Sequence, residues 1–139
     1  MEFTNAELYA MINSQQQRLW LVGANLDQAY LKFAPLREVD LRNAHLHSAN
    51  LYGARLFRAN LSHADLSCAH LETANLSSAD LTEANLTGAV LTEANLTGAK
   101  LQGANLAAAD LLDAQVTPGQ LAQAGSLAGA RMPDGTVHE

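Results

Sequence analysis

Residues 83–99 read Glu-Ala-Asn-Leu-Thr-Gly-Ala-Val-Leu-Thr-Glu-Ala-Asn-Leu-Thr-Gly-Ala. Leu86, Leu91 and Leu96 stand five apart, and each has an alanine two residues before it. Outward from this stretch the register holds in both directions. Leucine recurs at every fifth position from Leu26 to Leu111, eighteen in succession, and Val116 extends the series. The position two before the leucine is Ala throughout 24–114 except at Val39. The position just before it is often Asn or Asp, as at Asn25, Asp40, Asn60, Asp65, Asn85 and Asp110.

A five-residue period fits neither regular element. Five residues of α-helix rotate by about 140° beyond a full turn, which scatters the leucines around the axis. A strand alternates faces at every residue, so leucines five apart point up and down in turn. A chain that bends at the same corner in every quintet pools them on one axis. Alanine suits the second inward position because backbones crowd there. Asn, Asp and Gly are expected at the corners, where they tolerate unusual φ and bond their own backbone.

The pattern Ala-(Asp/Asn)-Leu-X-X over residues 24–116 resembles the pentapeptide-repeat proteins. That resemblance implies an all-β solenoid, a right-handed four-sided β-helix with about 20 residues per coil and stacked strands about 4.8 Å apart. Residues 22–116 then make nearly five coils, and residues 20 apart stack in columns. Asn85 over Asn105, and Asn75 under Asn95, are expected to form amide ladders. One departure from the family is that every central residue from 26 to 111 is Leu, where several members place Phe.

A rod of stacked strands needs its ends covered. Residues 1–21 are expected to hold a helical cap and a degenerate first repeat. Thr4 and Glu7 have the spacing of a capping box, and Leu8, Met11 and Ile12 follow at helical spacing, so residues 5–13 read as a short helix. Leu19 and Leu21 take the inward positions of the first repeat, with Trp20 outward or under the cap. Residues 117–139 are expected to form a second capping helix and a tail. Thr117-Pro118-Gly119-Gln120 combines an N-cap, a proline at the first helical position and a box-closing Gln. Pro133-Asp134-Gly135 reads as a turn. The resemblance extends to this tail, which is similar to those closing many bacterial members. The rod is expected as a monomer or as a homodimer through one end.

Composition narrows function by exclusion. The chain has 139 residues and a net charge of −6, so no overall basic excess is available to hold nucleic acid. No apolar run is long enough to span a membrane. The start, Met-Glu-Phe-Thr-Asn, lacks the basic and apolar regions of a secretion signal, which reads as a cytoplasmic protein. The single cysteine, Cys68, excludes an intrachain disulfide and a cysteine-rich metal site. No triad signature, phosphate-binding glycine loop or helical metal motif is present, so neither an enzyme nor a cofactor is expected. His45, His47, Asp65 and Cys68 share one side and are the best metal candidates; on a flat face such side chains diverge, and the preferred reading is that they are solvated polar residues.

Charge and aromatics suggest a binding surface. Residues 27–60 carry a net +2, and residues 61–116 a net −6. Outward aromatics gather in the basic half, where Arg37 is expected beneath Phe57, between Arg55 and Arg58, with Phe33 and Tyr52 on the neighbouring side. Phe33, Arg37, Tyr52, Arg55, Phe57 and Arg58 are therefore the candidate interaction surface; the alternative is that flanking loops or the N-terminal segment cover these rings. The favoured reading is a non-catalytic scaffold presenting rigid flat faces to a protein partner. The second comes from the resemblance: some family members mimic duplex DNA and inhibit DNA gyrase, protecting against quinolones, and the acidic half motivates it here.

Overall fold

The computed structural model describes residues 2–14 and 18–139; Met1 and Gln15–Gln17, within the expected N-terminal segment 1–21, lie outside the described residues. The chain winds into a repeat solenoid. Parallel bridges join Asn25 to His45, His45 to Asp65, Asp65 to Asn85 and Asn85 to Asn105, and the same step of 20 residues recurs from Tyr30, Pro35 and Asp40. From Trp20 to Asp110 each bridge falls on the residue just before a leucine. Among the described residues the extended pairing never grows beyond that single position before the chain turns again.

The quintet satisfies its own backbone, which explains its composition. In residues 84–88, Ala84 N–H donates back to Leu81 O (3.0 Å), closing the turn. Asn85 N–H donates to Ala64 O one coil below (2.9 Å). Leu86 and Gly88 N–H donate to Asn105 O and Ala107 O one coil above (2.7 and 2.9 Å). The fifth donor, Thr87 N–H, goes to the Oδ1 of Asn85 at 3.1 Å. Asn and Asp before the leucine thus supply the one acceptor that the coil lacks. The same bond forms at Ser67 to Asp65, Ser77 to Asn75, Thr82 to Asp80 and Leu112 to Asp110.

Two expectations are corrected. The residues before the leucines do not carry the unusual φ. Positive φ falls on the second residue after each leucine, at Gly88 (+67°) and Gly98 (+70°), but also at Cys68 (+56°), Thr73 (+58°) and Glu93 (+58°). Left-handed backbone costs an L-residue about 1–2 kcal/mol. The position holds because its N–H is tied to the next coil, as Cys68 N–H is to Thr87 O (2.9 Å). Neither amide ladder forms: the Oδ1 atoms of Asn75, Asn85, Asn95 and Asn105 accept within their own quintets, and among the described residues no amide of one reaches the amide oxygen of the other in either pair. A cross-coil rung occurs instead from Asn85 Nδ2 to Asp65 Oδ1 at 3.2 Å.

One quintet shows the gap directly. Val90 stands where Asn85 stands in the preceding unit, and Thr92 N–H finds no acceptor among the described residues. Val90→Asn is expected to add that bond and raise stability by about 0.5–1.5 kcal/mol, read as an increase in thermal midpoint by circular dichroism.

The core is a spine of leucine and alanine. Leu46, Leu66 and Leu86 have no solvent exposure, nor do Ala49, Ala69 and Ala89 between them. At the N-terminal end, Glu2 pairs with Asn25, and helix α1 (Asn5–Asn13) follows. Its box closes as the spacing predicts: Thr4 N–H donates to Glu7 Oε2 (2.7 Å) and Glu7 N–H to Thr4 Oγ1 (3.2 Å). Leu8 of α1 is buried in the core, and Met11 and Ile12 pack against it. Asn5 Oδ1 accepts from Tyr30 N–H at 3.2 Å.

At the other end, α2 (Pro118–Leu121) is capped by Thr117, and its Leu121 is buried. Gln120 does more than close the box. Its Nε2 donates to Leu96 O (2.7 Å), which also accepts from Ala99 N–H, and to Ala99 O (3.0 Å), the carbonyl that a further coil would otherwise have claimed. Pairing then resumes with an offset of 21, Ser126 on Asn105 and Arg131 on Asp110. Gly125-Ser126-Leu127 and Ala130-Arg131-Met132 repeat the small-x-apolar order, and Gly129 takes the positive φ (+70°). Arg131 finally pairs antiparallel with Val137 around the turn at Pro133-Asp134-Gly135. No helix among the described residues is long and apolar enough to cross a membrane.

Candidate interaction surface

Arg37 and Phe57 each follow a leucine by one residue and lie 20 apart, so the winding stacks them. The Cζ atoms of Arg37 and Arg58 each sit 5.1 Å from the centre of the Phe57 ring. The ring is half-buried between the two guanidinium groups, a geometry that favours cation–π attraction. Arg55 bridges Pro35 below and Asn75 above, and a shallow groove is lined by Arg37, Arg55, Phe57 and Asn75.

A second cluster lies on the preceding quintets of the same coils. Phe33 and Tyr52 meet edge to face, ring centres 5.6 Å apart at 84°. Lys32 Nζ lies 5.3 Å from the Phe33 ring centre and 5.1 Å from that of Tyr52. The Phe33 ring covers Gly53, where a Cβ would collide with it. Helix α1 borders this patch across a cavity lined in part by Tyr9, Ile12, Tyr30 and Phe33. It leaves Tyr30 and Phe33 60% and 58% exposed. The six candidate residues therefore form two clusters, Phe33 with Tyr52 and Arg37 with Arg55, Phe57 and Arg58. Among the described residues no ring or cation–π contact joins them.

Sequence reasoning passed over Lys32 and Asn75. Both follow from the rule that placed Arg37 under Phe57: 32 and 52 differ by 20, as do 55 and 75. Trp20 also stands outward, 65% exposed, with its backbone paired to Asp40.

The histidine side binds its polar groups elsewhere. His47 Nδ1 lies 2.8 Å from Ser67 Oγ, and its backbone N–H donates to Asp27 Oδ1 (2.8 Å). Asp65 accepts from Ser67 N–H and Asn85 Nδ2, while Cys68 is an exposed free thiol. His45 bridges Asp65 through backbone only. Among the described residues no three His, Cys, Asp or Glu side chains come together in a way that could hold a metal ion.

Three carboxylates outside the patch, Asp40, Asp65 and Asp80, are held ionised. The Arg42 guanidinium, 2.7 Å from Asp40 Oδ2, draws the Asp40 pKa down against the opposing effect of burial. Burial pushes Asp65 and Asp80 up, but bonds from Ser67 and Thr82, with the nearby His47, His45, Lys100 and His63, outweigh it and leave both lowered. A carboxylate with a depressed folded pKa contributes stability that is complete above its unfolded value, about 3.9. That contribution drains away as pH falls through the folded value. The thermal midpoint is thus expected to stay level from pH ~7 to ~5 and to drop below pH ~4, and Asp40→Asn should flatten the drop in a pH series of calorimetric scans.

The family model of pentapeptide repeats matches in eight copies over residues 24–61, 54–92 and 89–117. No curated protein matches the chain. Among solved structures, a pentapeptide-repeat protein of the Arabidopsis thaliana thylakoid lumen is 30% identical, with a TM-score of 0.62 over 73% of this chain and 68% of that one. HetL, a pentapeptide-repeat protein of the cyanobacterium Nostoc involved in heterocyst differentiation regulation, is 36% identical, covering 88% of this chain and 65% of that one at a TM-score of 0.45. Full-length QnrB1, a plasmid-mediated fluoroquinolone resistance protein, is 17% identical over 85% of this chain and 67% of that one at a TM-score of 0.34. The chain thus spans about two thirds of the length of these relatives. By the repeat match over residues 24–117, it belongs to the pentapeptide-repeat family.

Proposed function

We propose that this protein is a non-catalytic scaffold that binds a protein partner on a flat side of its rod. In this reading each turn of 20 residues is right-handed and four-sided, one side to a quintet. The body is residues 22–116, flanked by 1–21 and 117–139, with α1 and α2 closing the two ends. The observation that carries the binding role is Phe57 beside Arg37 and Arg58 on a backbone joined to its neighbouring coils, Glu38 N–H to Phe57 O and Arg58 N–H to Ser77 O. Aromatic and arginine side chains, pre-ordered and exposed, are the residues that anchor protein interfaces. Immobilised protein is expected to retain a specific protein from native extract, and the double variant Arg55→Glu, Arg58→Glu to lose it. Equal retention by both, or none by either, would overturn the reading.

The acidic half favours one alternative, a DNA mimic acting on DNA gyrase. Its carboxylates are spread over three sides, with Asp65 on one, Glu72, Glu93, Asp110 and Asp113 on another, and Asp80 and Glu83 on a third. Asp110 is also paired with Arg131 and Glu72 with His70. This dispersal places the mimic second. A supercoiling assay decides: no inhibition of gyrase at micromolar protein removes it.

A further inference from the structure

The arginines divide into two classes by location. Arg18, Arg42 and Arg131 each meet a carboxylate, on Glu38, Asp40 and Asp110 at 3.3, 2.7 and 3.3 Å. Among the described residues Arg37, Arg55 and Arg58 meet none, and all three belong to quintets stacked in one column set. Above them that side is uncharged. Arg55 is followed upward by Asn75, Asn95 and Gln115, while Ser77 and Thr97 rise above Phe57, and Ser78 and Gly98 above Arg58. The one carboxylate among these quintets, Glu38, stands one coil below Arg58 and is taken by Arg18.

From this we infer that the Arg37–Arg55–Phe57–Arg58 face docks a carboxylate-bearing protein segment. The inference rests on the scaffold reading and specifies the partner's chemistry. Guanidinium groups offer forked donors that carboxylates match, and here those donors are exposed and uncommitted. A second copy laid on this face by two-fold symmetry brings mainly Arg, Phe, Asn, Ser and Thr to these guanidiniums, and its one carboxylate there, Glu38, is bonded to its own Arg18, so self-pairing leaves most of them uncompensated. Nucleic acid is disfavoured because the chain carries a net charge of −6, with Asp and Glu on the sides flanking the patch. Phe57 at the centre adds an apolar anchor that a protein segment can cover.

The probe is a fluorescein-labelled hexaglutamate peptide, titrated by anisotropy at low salt against the full chain. Binding is expected, weakened about tenfold or more by the triple variant Arg37→Gln, Arg55→Gln, Arg58→Gln. The control pair Arg42→Gln, Arg131→Gln removes two positive charges against the triple variant's three, yet should alter affinity by less than about twofold. Thermal melts of both variants check folding. No binding of the peptide, an equal loss in the control, or tighter binding of a single-stranded DNA hexanucleotide overturns the inference. A protein captured from extract equally by the native chain and by the triple variant, yet lost by Arg55→Glu, Arg58→Glu, keeps the scaffold reading and overturns this one.

Discussion

Leu66→Ala is expected to destabilise the protein by about 2–5 kcal/mol, toward the upper end of that range. Leu66 has no solvent exposure and stacks between Leu46 and Leu86, which are equally buried. The cavity cannot readily collapse, because the N–H groups of Leu66 and Cys68 are pinned to Asn85 O and Thr87 O at 2.7 and 2.9 Å. Relaxation would have to break those bonds, so the void stays and its cost is retained. Denaturant titration should show a lower midpoint, and Leu66→Met a loss below about 1.5 kcal/mol. A loss for Leu66→Ala no larger than that for Leu66→Met would contradict a rigid leucine spine.

Deleting residues 66–85 should leave a folded rod one coil shorter, whereas deleting Ser67 alone should abolish cooperative folding. The difference follows from the step of 20 that every bridge from Trp20 to Gln115 obeys. Removing a whole turn rejoins Asp65 to Leu86, so each leucine and alanine still meets its own kind. Removing one residue shifts every later side chain by a position, which turns leucines outward and polar residues in; this is the penalty of a register slip in any sheet. Far-UV circular dichroism and thermal melts separate the cases. A sharp transition in the single deletion would show that the winding is not bound to this period.

How far such behaviour was readable from residues alone depends on which atoms decide it. The inward columns were legible because burial selects side-chain type directly, and Leu and Ala leave an unbroken signal. Both helices were legible from paired polar residues, Thr4 with Glu7 and Thr117 with Gln120, because capping is local. The role of Asn and Asp was half legible: that they bond their own backbone followed from residue type, but which residue takes positive φ did not. Thr73, Phe33 and Glu93 accept that conformation because coil-to-coil hydrogen bonds impose it, and a non-local constraint leaves little mark on composition. The resumed pairing of Ser126 and Arg131 was hidden by α2, which changes the offset by one residue and breaks the count. The stacking of Arg37 on Phe57 was within reach of the numbering, and so was Lys32 beneath Tyr52. The donors of Gln120 to Leu96 and Ala99 needed the three-dimensional path of the chain.

The constant step from bridge to bridge turns the exterior into a coordinate grid. Along one axis, neighbours differ in number by twenty and in height by about 4.8 Å; along the other, by five and by one corner. A ligand footprint can therefore be written as arithmetic before any docking is attempted. Grafting an epitope here reduces to choosing residue numbers, since outward positions can be respelled without touching the spine that holds them apart.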